Sequence, residues 1–289
     1  MKTGSRALLI KRPLVLSNRD NSKPTMKIKA AVVLLVVLFA GVLRAEEPRI
    51  EGAEIKFVVK GGKEEIERAL RAAGLDEGDG KPQRIFFYDT ADKQLYAKGL
   101  VLRARLKHKS DATVKYRASA PLDVAEWKED PDFKSELDYI GAGSVLSHSL
   151  KRKTAGEELN GGAGEAKRLF DASQQKFAAH CFKGELPWDK LRLCGPIPAT
   201  AWEKIKLPGF DRELDAERWA SPEGPPILEF STKVENATES ELQQIRKALQ
   251  KSLEAKGIEV NEDAESKTAS ALTRCFGQKN QSEAATTPR

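Results

Sequence analysis

Charged side chains recur at every second position in several apolar segments of the chain. In LVLRARLK and VKYR the alternating charges are all cations, namely Arg103, Arg105, Lys107, Lys115 and Arg117. Alternation with a period of two is typical of a β-strand that has one apolar face and one charged face. Cations gathered on one face favour the binding of a dense anion, since charge-assisted hydrogen bonds to phosphate are strong.

Other segments with the same period carry acids. Glu54 alternates with apolar residues in EGAEIKFVVK, Glu136 and Asp138 do so in KSELDYI, and Glu229 does so in PILEFSTKV. One interpretation is that every charged face is a solvated exterior of a sheet. Surface strands usually mix signs, however, because like charges across a ladder repel. The segregation therefore favours cations that hold an anion and acids that hold the divalent metal accompanying it.

Both strands and helices are predicted to position these residues. Eight segments predict strands: EGAEIKFVVK, RIFFYDT, LVLRARLK, TVKYRA, KSELDYI, ATAWEKIKL, RELDAERW and PILEFSTKV. GGKEEIERALRAAG predicts a helix, Thr238 and Glu241 predict the capping box of a longer one, and DAESKTASALTRCF predicts a short last helix. ADKQLYAKG predicts a turn, and residues 141–180 predict a Gly-rich loop followed by a helix. The pattern is that of one α+β domain with a long antiparallel sheet.

The basic character of the chain is concentrated near its start. The net charge is +6, but residues 1–45 contain nine Lys or Arg and one acid, so the remaining 244 residues sum to −2. We therefore predict no specific binding of nucleic acid by the folded part.

Residues 30–43 are fourteen consecutive apolar residues that follow Lys27 and Lys29. A membrane-spanning helix needs about 20, so the run favours a secretory signal that is cleaved after Ala45. The alternative is an uncleaved N-terminal anchor, the one route by which we expect contact with a membrane. Residues 1–45 are thus predicted to be a leader, the rest an exported (periplasmic or secreted) domain, and residues 277–289 a disordered tail.

Three cysteines follow the leader. In an oxidising compartment Cys181 and Cys194 could pair across a short loop, which would leave Cys275 free. A zinc site is not predicted, because CxxC spacing is absent and the three histidines of the sequence do not cluster near the cysteines.

Taken in order, EIK, FFYDT, GLVLRAR, VKYR, SELD, LEFSTK and ESKTASAL resemble the successive strands and closing helix of a CYTH domain. These domains are the triphosphate tunnel metalloenzymes. The resemblance covers roughly residues 50–276 of a domain placed at 46–276, with a divergent part at about 141–200. It implies an eight-stranded antiparallel β tunnel, a closed or partly open barrel with flanking helices. The family includes inorganic, thiamine and RNA triphosphatases and class IV adenylyl cyclases.

The resemblance also implies roles for individual residues. Those implied to be catalytic are Lys56, Arg103, Arg105, Lys115 and Glu136. Those implied to bind substrate are Lys56, Arg103, Arg105, Lys115, Arg117, Lys204, Lys206 and Lys267. Glu54, Asp215 and Glu229 are implied to hold Mg²⁺ or Mn²⁺, and Asp138 is a further acid of the tunnel.

Two positions depart from the family pattern. Gly52 stands where the first acid of Glu-x-Glu-x-Lys is expected, and Glu51 would point to the opposite face. Ser231 stands where a late strand usually has its second Glu. Each change removes a carboxylate and lowers the expected metal affinity.

The function predicted is that of an exported, metal-dependent phosphohydrolase acting on triphosphate, polyphosphate or another triphosphorylated substrate. Two alternatives remain: a catalytically weakened tunnel protein that binds a polyanion without turnover, and an exported β-rich carrier.

Overall fold

The computed structural model describes residues 47–118, 120–154, 166–220 and 224–277, so the predicted leader lies outside the described residues, as does the predicted tail beyond Gly277. The strands are β1 Arg49–Val58, β2 Lys81–Asp89, β3 Leu100–Leu106, β4 Asp111–Arg117, β5 Phe133–Ile140, β6 Gly143–Lys153, β7 Arg192–Lys206, β8 Glu213–Trp219 and β9 Ile227–Thr238. The α-helices are α1 Lys63–Ala72, α2 Gln94–Ala97, α3 Ala166–Leu169, α4 Ala172–Phe182, α5 Glu239–Ala255 and α6 Lys267–Gly277. None of these helices is long and apolar enough to cross a membrane.

The strands close into a barrel in the order β1-β5-β6-β4-β3-β2-β7-β8-β9. The predicted α+β class with a barrel and flanking helices is confirmed, but the described residues form nine strands rather than eight. The additional strand is β6, which lies in the region predicted as a loop and pairs with β4 and β5. The sheet is antiparallel except at β1 and β5, which run parallel.

A short helical turn also interrupts the segment predicted as a plain turn. The carboxylate of Asp89 accepts hydrogen bonds from the backbone N–H groups of Thr90, Leu95 and Tyr96, at 2.7, 2.9 and 3.0 Å. The bonds from Leu95 and Tyr96 satisfy backbone donors at the start of α2 that have no partner inside the helix. The predicted capping box of α5 is confirmed, because the Thr238 hydroxyl accepts from Glu241 N–H and the Glu241 carboxylate accepts from Thr238 N–H.

Apolar layers cover the outer face of the barrel on two sides. Ile55 and Phe57 of β1 pack with residues of α1 and α5. Leu102 of β3 and Val114 of β4 pack with Phe177 of α4. Each such buried side chain stabilises the fold by about 1.5–3 kcal/mol. Because side chains alternate along a strand, these outward apolar residues leave the charged residues of the same strands facing inward.

A third apolar cluster lies on the inner face of the barrel. Ile85 and Phe87 of β2 and Trp219 of β8 meet Leu272 and Phe276 of α6 there. Helix α6 therefore covers this part of the inner face, and we call this cluster the floor of the tunnel.

A disulfide joins Cys194 of β7 to Cys275 of α6, with the two Cα atoms 5.6 Å apart. The predicted pairing of Cys181 with Cys194 is wrong. Cys181, on α4, is free and buried in the outer apolar layer, whereas Cys194 faces inward to the floor. The barrel wall lies between the outer apolar layer and the floor. Cys181 and Cys194 are therefore on opposite sides of this wall, although they are close in sequence.

Reduction of this disulfide, or the change Cys275→Ser, is expected to lower the melting temperature by roughly 10 °C. The bond closes a loop with a sequence separation of 81 residues, and a loop of that size corresponds to about 4 kcal/mol of stability. Calorimetry with and without a reductant measures the change. Cys181→Ala is the control, since it should leave the sensitivity to the reductant intact; a wild-type melting temperature that ignores the reductant would contradict the prediction.

Candidate functional site

The strand register places most of the predicted site residues on the inner face of the barrel. The inward positions include Glu54 and Lys56 of β1, Arg103 and Arg105 of β3, Lys115 and Arg117 of β4, Glu136 and Asp138 of β5, and Glu229 of β9. Arg103 lies opposite Phe87 and Thr113, and Lys115 lies opposite Ser149. The structure thus gathers cations and acids from five strands in one tunnel.

Asp138 lies between two lysines at the centre of the tunnel. Its Oδ1 atom is 2.9 Å from Lys56 Nζ, its Oδ2 atom is 2.6 Å from Lys115 Nζ, and its side chain is 0 % exposed. Lys56 Nζ also lies 2.8 Å from Glu54 Oε2. Burial would raise the pKa of Asp138, but the two ammonium groups hold that pKa well below its usual range. Burial likewise opposes the charge of Lys56, whose two carboxylate partners nevertheless raise its pKa.

Lys115 is the cation of this group that titrates most readily. Burial and the neighbouring Lys56 lower the pKa of Lys115 to about 8. A lysine in this range is still charged at neutral pH, and loses its charge under mildly alkaline conditions.

We expect the affinity for triphosphate to fall about tenfold between pH 7 and pH 9, as Lys115 loses its proton. Stability should move the other way. Between pH 8 and the ordinary lysine pKa, the unfolded chain holds a proton that the folded chain has lost, so stability rises with pH in that window. Calorimetric titration measures the affinity. Lys115→Arg keeps the charge and also controls for titration of the ligand itself, so a pH profile unchanged in this variant would contradict the assignment.

The two arginines of β3 have different surroundings. Arg105 donates from Nε and Nη2 to the two carboxylate oxygens of Asp111, at 3.0 and 2.9 Å. Arg103 Nε is buried and has no hydrogen-bond partner among the described residues, and the same holds for Nε and Nη1 of Arg117. Burial and the adjacent Arg105 lower the pKa of Arg103 to about 10, so its guanidinium stays charged at neutral pH.

The acids of β8 and β9 are joined by a lysine of α6. Glu217 and Glu229 lie directly opposite each other in the register. Lys267 Nζ contacts Glu217 Oε2 and lies 3.1 Å from Glu229 Oε1. Burial would raise the pKa of Glu217, but Lys267 lowers it to about 2. The three side chains form a buried carboxylate–ammonium–carboxylate cluster.

The residues predicted to hold a metal each have a different partner. Glu54 pairs with Lys56, Glu229 pairs with Lys267, and Asp215 accepts a hydrogen bond from the backbone N–H of Lys204 at 3.2 Å. In the part of the chain that the structure describes, no three His, Cys, Asp or Glu side chains are grouped to hold a metal. As arranged, these residues do not fit a resident Mg²⁺ or Mn²⁺ ion.

The remaining predicted residues lie in varied positions. Glu136 lines the tunnel beside Gly52, where an added Cβ would lie 3.6 Å from Glu136 Cγ, an ordinary contact distance. Glu51 is exposed. Lys204 lies at an irregularity of β7 with a φ of 59°, and both it and Lys206 are exposed.

Sequence reasoning missed Asp111, Glu217 and Lys151, which also lie at inward positions. Asp111 and Glu217 continue the alternation of their own strands, with Thr113 and Asp215 respectively, so a signal for them was present. Lys151 lies on β6 opposite Thr113 and is exposed. That strand was predicted as a loop, so its lysines were not considered.

A closed barrel with charges of both signs inside and a C-terminal helix packed against its inner face has the fold of the CYTH or triphosphate tunnel proteins. The predicted resemblance is confirmed at the level of the fold.

Two solved structures resemble this chain in fold. A putative adenylate cyclase from Bacillus halodurans matches with 19% identity and a TM-score of 0.50, over 76% of this chain and 98% of its own. A Hippeastrum protein, described as a putative adenylyl cyclase with a dominant triphosphatase activity, matches with 14% identity and a TM-score of 0.53, over 78% of this chain and 96% of its own. Likeness at such identities shows the fold alone. No family model matches the chain, and no curated protein is a significant match.

Proposed function

We propose that the tunnel binds the phosphate chain of triphosphate, a polyphosphate or another triphosphorylated substrate, and hydrolyses a phosphoanhydride bond in it. The observation that carries this proposal is that the buried atoms Nε of Arg103 and Nε and Nη1 of Arg117 have no hydrogen-bond partner among the described residues. Buried N–H groups almost always have acceptors, and phosphate oxygens suit a guanidinium well. The substrate binds as its Mg²⁺ or Mn²⁺ complex, so the activity depends on a metal that arrives with the substrate.

Phosphoanhydride hydrolysis requires that the phosphate chain of the substrate is held in line for attack by water and that its negative charge is neutralised. Arg103 and Lys115, on neighbouring strands, contact phosphate oxygens from one side of the tunnel. Lys56 and Lys115 exchange their contacts with Asp138 for contacts with phosphate. Glu136 lies opposite Ser147, which lies opposite Arg117, so its carboxylate is one strand away from the cationic wall. From there it accepts a hydrogen bond from the attacking water and orients it.

Phosphate release from triphosphate in the presence of Mg²⁺ or Mn²⁺ tests this proposal. Glu136→Gln is expected to reduce the rate about 100-fold while the affinity for triphosphate changes little, because the residue acts on the water rather than on the phosphates. Glu129→Gln, at an exposed position, is the control. If the wild-type protein binds triphosphate but releases no phosphate from any triphosphorylated compound, the hydrolase proposal is wrong.

The second candidate is a protein that binds a polyanion without turnover. Gly52 and Ser231 support it, since each stands where a carboxylate was expected, and the ion pairs of Glu54 and Glu229 with lysines support it too. In that case triphosphate would bind and raise the melting temperature of the protein, but the triphosphate would not be hydrolysed.

We also propose that the domain works outside the cytoplasm. The apolar run at residues 30–43 supports this, and so does the disulfide between Cys194 and Cys275, since such bonds persist in oxidising compartments. Fractionation of cells, followed by thiol labelling, tests the proposal. Recovery of the protein in the cytoplasm with both cysteines reduced would contradict it.

A further inference from the structure

Among the described residues of helix α6, Lys267 is the one cation that contacts acids of the tunnel. Its Nζ atom lies between Glu217 and Glu229, and 4.9 Å from the centre of the Trp219 ring. The residue is 8% exposed. Gln83 donates a hydrogen bond to the other carboxylate oxygen of Glu217. The ammonium group is thus held by two acids and an aromatic face.

Two facing carboxylates in a buried position carry a charge that needs compensation. A divalent cation with oxygen ligands is one solution, and an ammonium group is another. Here the ammonium group takes the bridging position, and it belongs to the chain itself. A divalent cation could enter between the two carboxylates only by displacing Lys267.

We propose that Lys267 is a built-in cation that takes the place of a resident divalent metal between Glu217 and Glu229. The protein without substrate therefore does not bind Mn²⁺ or Mg²⁺ at these acids. The inference concerns the free protein, so it holds whether or not the tunnel hydrolyses triphosphate. Failure of the hydrolase proposal and failure of this one are therefore separate results.

Titration with Mn²⁺, followed by electron paramagnetic resonance in the absence of phosphate, tests the proposal. Wild-type protein is expected to bind Mn²⁺ only weakly, whereas Lys267→Met frees both carboxylates and should bind it at least tenfold more tightly. Mn²⁺ should also raise the melting temperature of Lys267→Met and not that of the wild type. Adding Glu217→Gln to the methionine variant should abolish the gain. Lys251→Met, at an exposed position of α5, is the matched control and should behave like the wild type.

Two outcomes, one for the wild type and one for Lys267→Met, would overturn the proposal. One is tight Mn²⁺ binding by the wild type that Glu217→Gln or Glu229→Gln removes; this result does not require that Lys267→Met folds. The other is a folded Lys267→Met variant with no gain in Mn²⁺ affinity. Lys267→Arg retains a cation between the two acids, and Mn²⁺ binding by this variant as tight as that of Lys267→Met would also contradict the proposed role.

Discussion

Arg103→Met is expected to weaken triphosphate binding about 100-fold and at the same time to raise the melting temperature of the free protein. A buried guanidinium whose Nε has no partner among the described residues lacks the interactions that usually offset its desolvation. Burial and Arg105 both disfavour its charge, as the lowered pKa of Arg103 indicates. Removing the charge should therefore stabilise the fold by about 1 kcal/mol, a rise of roughly 2–4 °C. The same charge donates to the anion, so the loss in affinity corresponds to about 1.5–3 kcal/mol.

Calorimetric titration and thermal melting measure the two effects on one sample. Arg84→Met is the matched control, because Arg84 lies on the adjacent strand β2 and is exposed. We expect it to change neither quantity appreciably. A destabilised Arg103→Met variant, or one that binds triphosphate like the wild type, would show that Arg103 has a structural role instead.

Asp138→Asn is expected to lower the melting temperature by about 10 °C. The carboxylate compensates two buried ammonium groups, those of Lys56 and Lys115, and breaking a buried ion pair by removing one partner costs about 3–5 kcal/mol. Because the pKa of Asp138 is held below that of the unfolded chain, its contribution is complete at neutral pH and is lost only in strong acid.

Triphosphate should partly restore the stability of Asp138→Asn, since phosphate oxygens can take over the two lysines. The rise in melting temperature on adding triphosphate is thus expected to be larger for this variant than for the wild type. Asp132→Asn is the control, because Asp132 pairs with Arg152 at a side-chain exposure of 51% and should have little effect. A variant as stable as the wild type would mean that the lysines do not need this acid.

The alternating strands were predictable because their outer faces are apolar. In β3, Leu102 and Ala104 pack outward while Arg103 and Arg105 point inward, so the period of two is visible in the sequence. In β6 it is not. Ser149 and Ser147 lie opposite Lys115 and Arg117, and small residues beside long cations leave no clear pattern of charge. Strand β6 was missed for that reason.

The pairings inside the tunnel depend on closure of the barrel. Alternation pointed to Asp138, but its contact with Lys56 requires β1 and β5 to be neighbours, and these strands are far apart in sequence and run parallel. The disulfide depends on α6 returning to β7. The spacing of residues along the sequence does not show that β5 lies beside β1 or that α6 lies beside β7. The ion pairs and the cysteine pairing could therefore not be predicted.

The floor gives the inside of the tunnel two unlike regions. Trp219 and Leu272 pack there with Ile85 and Phe87 in an apolar cluster, whereas Asp138 and its two lysines form a charged region. Apolar side chains offer no hydrogen bonds to an anion, so a bound phosphate chain would contact the charged region alone. The length of that region, rather than the width of the barrel, would then set how many linked units can be held at once.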